Sequence, residues 1–253
     1  MLEQLDLDLS VSKTTYTKRV AGLQRRLYDL EHAVFTAGIP SLVVLEGWAA
    51  ADKGGTINAL SERLDPRGFR VVPISPPRTA ETRYPWLWRF WLKVPARGQM
   101  VIFDQSWYRR VLIDRLTKTV RKRQLEDAYQ DIQEFEAMLA ADGTLILKFW
   151  LHISRKEQGR RFKKLLKDPL TAWQVSDEDA RQHKHYAEYF IAAEEMLART
   201  DAAHAPWVIV PASDRYYTRL TVMETLIRAL EARLGDKTPP PSRPTKNPEA
   251  ADA

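Results

Sequence analysis

The 253-residue chain contains no cysteine, which excludes a disulfide scaffold, thiol catalysis and cysteine-ligated zinc. It has no stretch near the roughly 20 consecutive apolar residues that a membrane helix needs. Its first residues, MLEQLDLDLSVSK, hold no basic segment leading into an apolar one. No secretory signal is therefore expected, and the cytoplasm is the expected compartment. The five histidines, His183 and His185 among them, offer no metal-ligand spacing, and no internal repeat is present. Charge of one sign is in modest excess: 39 Lys and Arg against 33 Asp and Glu give +6. That balance suits nucleic acid, phosphorylated substrates or a polyanion without selecting among them.

What is present is a rhythm of apolar runs and amphipathic stretches. Residues 12–37 place Val20, Leu23, Leu27, Leu30 and Val34 at helical spacing and stop near Gly38-Ile39-Pro40, which predicts a long helix. Five short β-branched runs follow: SLVVLEG, FRVVPIS (69–75), MVIFD (100–104), TLILKFWLHIS (144–154) and WVIVPA (207–212). Helices are expected between them at about 53–64, 84–94, 106–116, 124–141, 155–167, 177–199 and 214–233. Near-continuous apolar strands alternating with helices predict an α/β fold, a parallel five-stranded sheet flanked by helices. Residues 235–253 hold five of the fifteen prolines and no large apolar side chain, so a disordered tail is expected there.

The densest chemical signal is LVVLEGWAAADKGGTI, residues 42–57. A buried strand turns at Gly47, and Lys53, Gly54, Gly55 and Thr56 open a helix. This is the layout in which backbone N–H groups cradle phosphates and a lysine reaches the outer ones. The strict G-x-x-x-x-G-K-[ST] pattern is broken by Asp52 and by Gly54 at the hydroxyl position, and a plain glycine turn capped by Asp52 suits the same residues. In QMVIFDQSWYRR, Asp104 ends a strand where open α/β sheets place ligands, and such an acid can hold magnesium. Arg109 and Arg110 follow within a turn; capping of the next helix by Asp104 or Ser106 is the alternative. Residues 155–167 set seven cations against Glu157 alone, either a solvated face or a lid that closes over phosphates. Arg115, Lys118, Arg121, Lys122 and Arg123 make a second basic cluster. Two clusters and a phosphate loop suit an extended polyphosphate chain better than one nucleotide. Trp86, Trp88, Phe90 and Trp91 read first as core or oligomer interface, and second as a base-stacking surface.

These motifs resemble the polyphosphate kinase 2 family, phosphotransferases acting between inorganic polyphosphate and nucleoside mono- or diphosphates. The likeness covers about 12–233 and rests on EGWAAADKGGTI, LDPRGFRVV, LWRFW, IFDQSWYRR, LHISRKEQ, Arg161-Phe162, Asp168-Pro169, Trp173, Ser176 with Glu178-Asp179, Ala205-Pro206-Trp207, and Asp214 with Arg219. It implies a thymidylate-kinase-like P-loop kinase fold in one domain (12–234), with a helical lid at about 154–185, Mg2+ as cofactor, and homo-oligomers (dimer or tetramer). Polyphosphate and AMP or ADP are the implied partners. Membrane is not an expected partner, nor is nucleic acid, whose binding through the basic clusters is the least favoured reading.

The chain departs from that family pattern at several places. Where the family reads EG-x-D-A-A-G-K-G-G, Ala49 replaces the aspartate and Asp52 the glycine; Gln105 replaces the arginine of F-D-R-S-W-Y. Leu165, Thr171, Gln174, His183 and Tyr186 are further departures. Lys53, Gly54, Gly55, Asp104, Arg110, Arg161 and Arg219 are retained. The expectation is an active Mg2+-dependent enzyme. Lys53 holds the transferring phosphates, while Asp104, joined by a relocated carboxylate at Asp52, holds metal. Arg110 stabilises developing charge, and Gly47, Gly54, Gly55, Thr56, Arg161, Lys164 and Arg219 bind phosphate or nucleotide. The alternative is a degenerate member that binds polyphosphate or nucleotide as a regulatory or oligomer partner.

Overall fold

A strand buried along its whole length needs neighbours on both edges and cover on both faces. Residues 41–47 form such a strand in the computed structural model, which describes residues 1–235. Five strands, β1 (Ser41–Gly47), β2 (Phe69–Pro73), β3 (Met100–Asp104), β4 (Leu145–His152) and β5 (Trp207–Pro211), form one parallel sheet in the order β2-β3-β1-β4-β5. The helices are α1 (Lys13–Thr36), α2 (Lys53–Ser61), α3 (Trp88–Trp91), α4 (Ile113–Leu116), α5 (Lys122–Ala141), α6 (Arg155–Lys167), α7 (Asp177–Lys184), α8 (Tyr186–Thr200) and α9 (Arg215–Leu234). The α/β parallel sheet expected from the run pattern is the one found. The tail expected to be disordered lies, apart from Gly235, outside the described residues.

β1 sits at the centre, with β2 and β3 on one side and β4 and β5 on the other. Its carboxyl end is thus a switch point of the kind where α/β sheets bind ligands. α1 and α9 lie side by side. Leu27, Leu30 and Val34 of α1 are fully buried, and ion pairs Arg19–Glu224 and Arg26–Glu231 join the two helices. Ser12 starts α1 by accepting the Thr15 N–H.

Three expected helices are shorter or broken. Over 84–94 only α3 forms, preceded by a 3-10 turn at Glu81–Arg83. Pro85 holds Tyr84 extended (φ −114°, ψ 162°), and Pro95 disfavours helix at Val94, so one turn fits between them. Over 106–116 a 3-10 turn, Trp107–Arg110, precedes α4, and the consecutive Trp107 and Tyr108 are both fully buried. The helix expected at 177–199 breaks at His185 (φ −102°, ψ 34°), giving α7 and α8.

Candidate functional site

The loop leaving β1 is shaped by three conformations that ordinary residues avoid. Gly47 has φ 141°, and a Cβ there would run into the Leu151 carbonyl of the neighbouring strand, so only glycine passes. Ala50 (φ 60°) and Asp52 (φ 69°) are left-handed, at roughly 1–2 kcal/mol each. Lys53 then opens α2, and its Nζ folds back to donate to the carbonyls of Trp48 (3.1 Å) and Gly47 (3.4 Å). A Cβ on Gly54 would meet open space, whereas one on Gly55 would collide with the Asp52 carboxylate and Arg219. Thr56 is fully buried, and its hydroxyl has no hydrogen-bond partner among the described residues.

The Asp52 carboxylate accepts from Arg219 Nη2 at 2.8 Å. It is therefore held by α9 in this structure. Among the described residues no group of three or more His, Asp or Glu is arranged as a metal cluster. Asp104 differs. It ends β3 opposite Leu45, is half-buried, and its carboxylate takes no hydrogen bond or ion pair from the described residues. Behind it lies Glu46, buried and accepting from Ser106 Oγ at 2.8 Å. Burial pushes the Glu46 carboxyl up to about 7, the Ser106 hydrogen bond and Lys53 pull it back, and Asp104 adds to the rise.

Two cavities of different chemistry open at the carboxyl edge of the sheet. One, about 470 Å³, lies beside the phosphate loop and the end of β5. Its wall includes Asp52, Arg160, Arg161, Lys164 and Arg215. The other, about 340 Å³, lies past β2 and β3; its wall includes Tyr84, Trp86, Arg89, Arg109 and Arg110, with Glu81 and Asp114 beside those arginines. Arg110 lies over the Trp86 ring at 5.7 Å and 3.7 Å from Asp114. A third cavity, about 430 Å³, opens under α7 and is touched by both Ala49 and Gln105.

The helical segment α6–α7 is fastened over this edge. Arg161 is wholly engaged: it donates to the carbonyls of Ala50 (2.8 Å), Ala212 (2.6 Å) and Ser213 (2.7 Å), and it pairs with Glu157. Glu178 of α7 receives both Nη1 and Nη2 of Arg109, at 2.8 and 2.5 Å. Gln182 accepts the Ala49 N–H at 2.8 Å and also a Gln158 amide N–H. At the break between α7 and α8, Tyr186 stacks flat on the buried Trp48 at 3.8 Å. Leu170 and Trp173, between α6 and α7, face outward.

The structure thus gathers Asp52, Lys53, Arg219, Arg161 and Lys164 around the loop, and sets Asp104 and Arg110 on the β3 side. Of the tryptophans, Trp86 walls a cavity and Trp88 stacks on Tyr84 at 4.1 Å, while the neighbouring Phe90 is core. The second cavity was foreshadowed only by arginines interleaved with aromatics in RYPWLWRF and WYRR. The glutamines that tie α7 to Ala49 carry no charge or period that a sequence reading can register.

Comparison with known proteins agrees with this architecture. The family model described as polyphosphate kinase 2 matches residues 10–238. A polyphosphate:AMP phosphotransferase of Pseudomonas aeruginosa is 38% identical over 92% of this chain. An ADP-polyphosphate phosphotransferase of the same organism is 35% identical over 91% of this chain and 76% of its own length. The chain spans about half (47%) of the length of that polyphosphate:AMP phosphotransferase. Among solved structures, a polyphosphate kinase 2 from Pseudomonas aeruginosa superposes with TM-score 0.88 at 38% identity, over 92% of this chain and 50% of the other. One from Arthrobacter aurescens also gives 0.88, at 29% identity over 98% of this chain and 89% of the other. With a model match across nearly the whole described chain, a relative 35% identical over most of both lengths and a parallel sheet shared with these structures, the chain belongs to the polyphosphate kinase 2 family.

Proposed function

We propose that the chain is a Mg2+-dependent phosphotransferase that moves phosphate between inorganic polyphosphate and AMP or ADP. The observation that carries this reading is the pair of unlike cavities at the carboxyl edge of the sheet, one of them beside the loop that leaves β1. The cation-rich one suits a chain of phosphates, and the arginine–aromatic one suits a nucleoside phosphate whose base needs a flat apolar wall. Relatives named for exactly these two substrate types, at 35–38% identity, support it.

In this reading Lys53 swings from its carbonyl partners to the transferring phosphoryl group, and Lys164 and Arg160 draw the polyphosphate chain along α6. Arg110 and Arg89 hold the acceptor phosphate. Arg161, spent on three carbonyls, holds α6 to the loop and helps exclude water. Asp104 fits a divalent cation, because its half-buried carboxylate has no protein partner. Mg2+ commonly takes one or two carboxylates and completes its shell with phosphate oxygens and water. When bound, the ion neutralises charge on the phosphates being transferred. A homo-oligomer, dimer or tetramer, acting in the cytoplasm belongs to the same proposal. No described helix is long and apolar enough to cross a membrane.

A second reading, a member that binds but does not turn over, is favoured by one observation. Ala49 and Gln105 bring no charge to the cavity they share. A transfer assay separates the two. Full-length protein, Mg2+ and polyphosphate are incubated with AMP or ADP in separate reactions. The expected result is ADP or ATP formation that a chelator abolishes; bound polyphosphate without product in either reaction would establish the second reading.

A further inference from the structure

The basic cavity already holds an anion belonging to the protein. The Asp52 carboxylate lies against Gly55 in the first turn of α2, so close that a Cβ on Gly55 would overlap it. It is paired with Arg219 at 2.8 Å, and the pair is largely shielded, at 29% and 20% side-chain exposure. The same residue lines the cavity whose other charged walls are Arg160, Arg161, Lys164, Asp214 and Arg215. Asp214 is occupied as the cap of α9, accepting the Tyr217 N–H at 2.7 Å. Arg161 is spent on carbonyls and Glu157. Asp52 is thus the carboxylate that engages Arg219. It does so from the mouth of a helix whose N-terminal N–H groups favour negative charge.

We infer that Asp52 is a specificity-determining residue: an internal anion that polyphosphate must displace from Arg219 in order to bind. This rests on the functional reading above, that the basic cavity receives polyphosphate. Two consequences follow from charge alone. The carboxylate repels an incoming phosphate chain, and it removes from use a guanidinium with the fork geometry that phosphate prefers. A chain long enough to engage Lys164 and Arg160 at the same time can offset that competition, whereas a short one cannot. Asp52 therefore discriminates against short phosphates in favour of long ones. No covalent step is involved; one charge-assisted pair is exchanged for another.

The test measures binding and turnover with full-length protein, using tripolyphosphate and a long polyphosphate as probes. Asp52→Asn keeps the size and tolerates the left-handed backbone; Asp52→Gly removes both side chain and backbone strain and serves if the first variant folds poorly. Arg219→Met is made alone and combined with each. The expected result is that losing the carboxylate tightens tripolyphosphate binding by about tenfold and long polyphosphate by less, by about threefold. KM for polyphosphate falls, and the gain vanishes when Arg219 is also replaced. The inference is overturned if Asp52→Asn and Asp52→Gly bind tripolyphosphate no more tightly than the parent. It is equally overturned if they lose turnover while binding is unchanged, which would make Asp52 a metal ligand. If the parent neither binds nor turns over either phosphate, the functional reading falls first and the inference falls with it.

Discussion

At the scale of single residues, the site is built from positions where one atom decides. Gly47 is the clearest. With φ 141° and a neighbouring backbone where its Cβ would go, Gly47→Ala should cost about 3 kcal/mol or more, whereas Gly54→Ala, facing open space, should leave the melting temperature nearly unchanged. Thermal melts of the two variants check this. His152 gives a second prediction. Its Nδ1 is faced by the indole N–H groups of both Trp48 (3.1 Å) and Trp150 (3.4 Å), so the ring is neutral with its proton on Nε2. Burial pushes its pKa down to about 4, against about 6.5 in the unfolded chain. The unfolded state takes up the proton first. Stability is therefore intact above pH 6.5 and is lost as pH falls through 4, by at most about 3 kcal/mol. Denaturant melts between pH 4 and 7 should show this slope, and His152→Phe should flatten it. Lys53, Gly55 and Asp104 were legible in the sequence because their motifs are local. The Asp52–Arg219 pair was not, since it joins residues 167 positions apart.

At the scale of elements, strands and long helices followed the apolar period, and the segments around the site did not. α1, α5, α6 and α9 lie within two residues of their expected bounds, because each carries its own stripe or cap. The 81–92 and 107–116 segments are set instead by prolines and by what they bury. One buried network fixes the second of these. Lys148 Nζ of β4 donates to Glu136 of α5 (2.6 Å), to Tyr108 Oη (2.8 Å) and to the Thr200 carbonyl (2.8 Å). Trp107 Nε1 also reaches Glu136, at 3.1 Å. Burial pushes the Glu136 carboxyl up and the Lys148 ammonium down, and each draws the other back. Lys148→Met should cost about 3–5 kcal/mol by stranding a buried carboxylate, and adding Glu136→Leu should recover much of that loss; denaturant unfolding of the single and double variants checks it. For α7, Glu178→Gln removes the charge that both guanidinium nitrogens of Arg109 engage. Hydrogen exchange should then speed up in α7 and stay unchanged in α9.

At the scale of the whole molecule, the order β2-β3-β1-β4-β5 brings the phosphate loop, the free Asp104 and two unlike cavities to one edge. Fold class was readable from alternating runs, and the glycines marked the loop at the carboxyl end of β1 as the candidate site. The division of that edge into a cationic and an aromatic half was not, because it depends on how distant loops meet. In the proposed reaction, phosphate transfer occurs between those halves, over Lys53 and Asp104. The most direct measurement is the rate of nucleotide product formation from polyphosphate in Lys53→Ala and Asp104→Asn, each shown folded by its melting curve. The account predicts that both lose about 100-fold or more in kcat, with polyphosphate still bound by Lys164 and Arg160. Turnover within a few fold of the parent in either folded variant would contradict it.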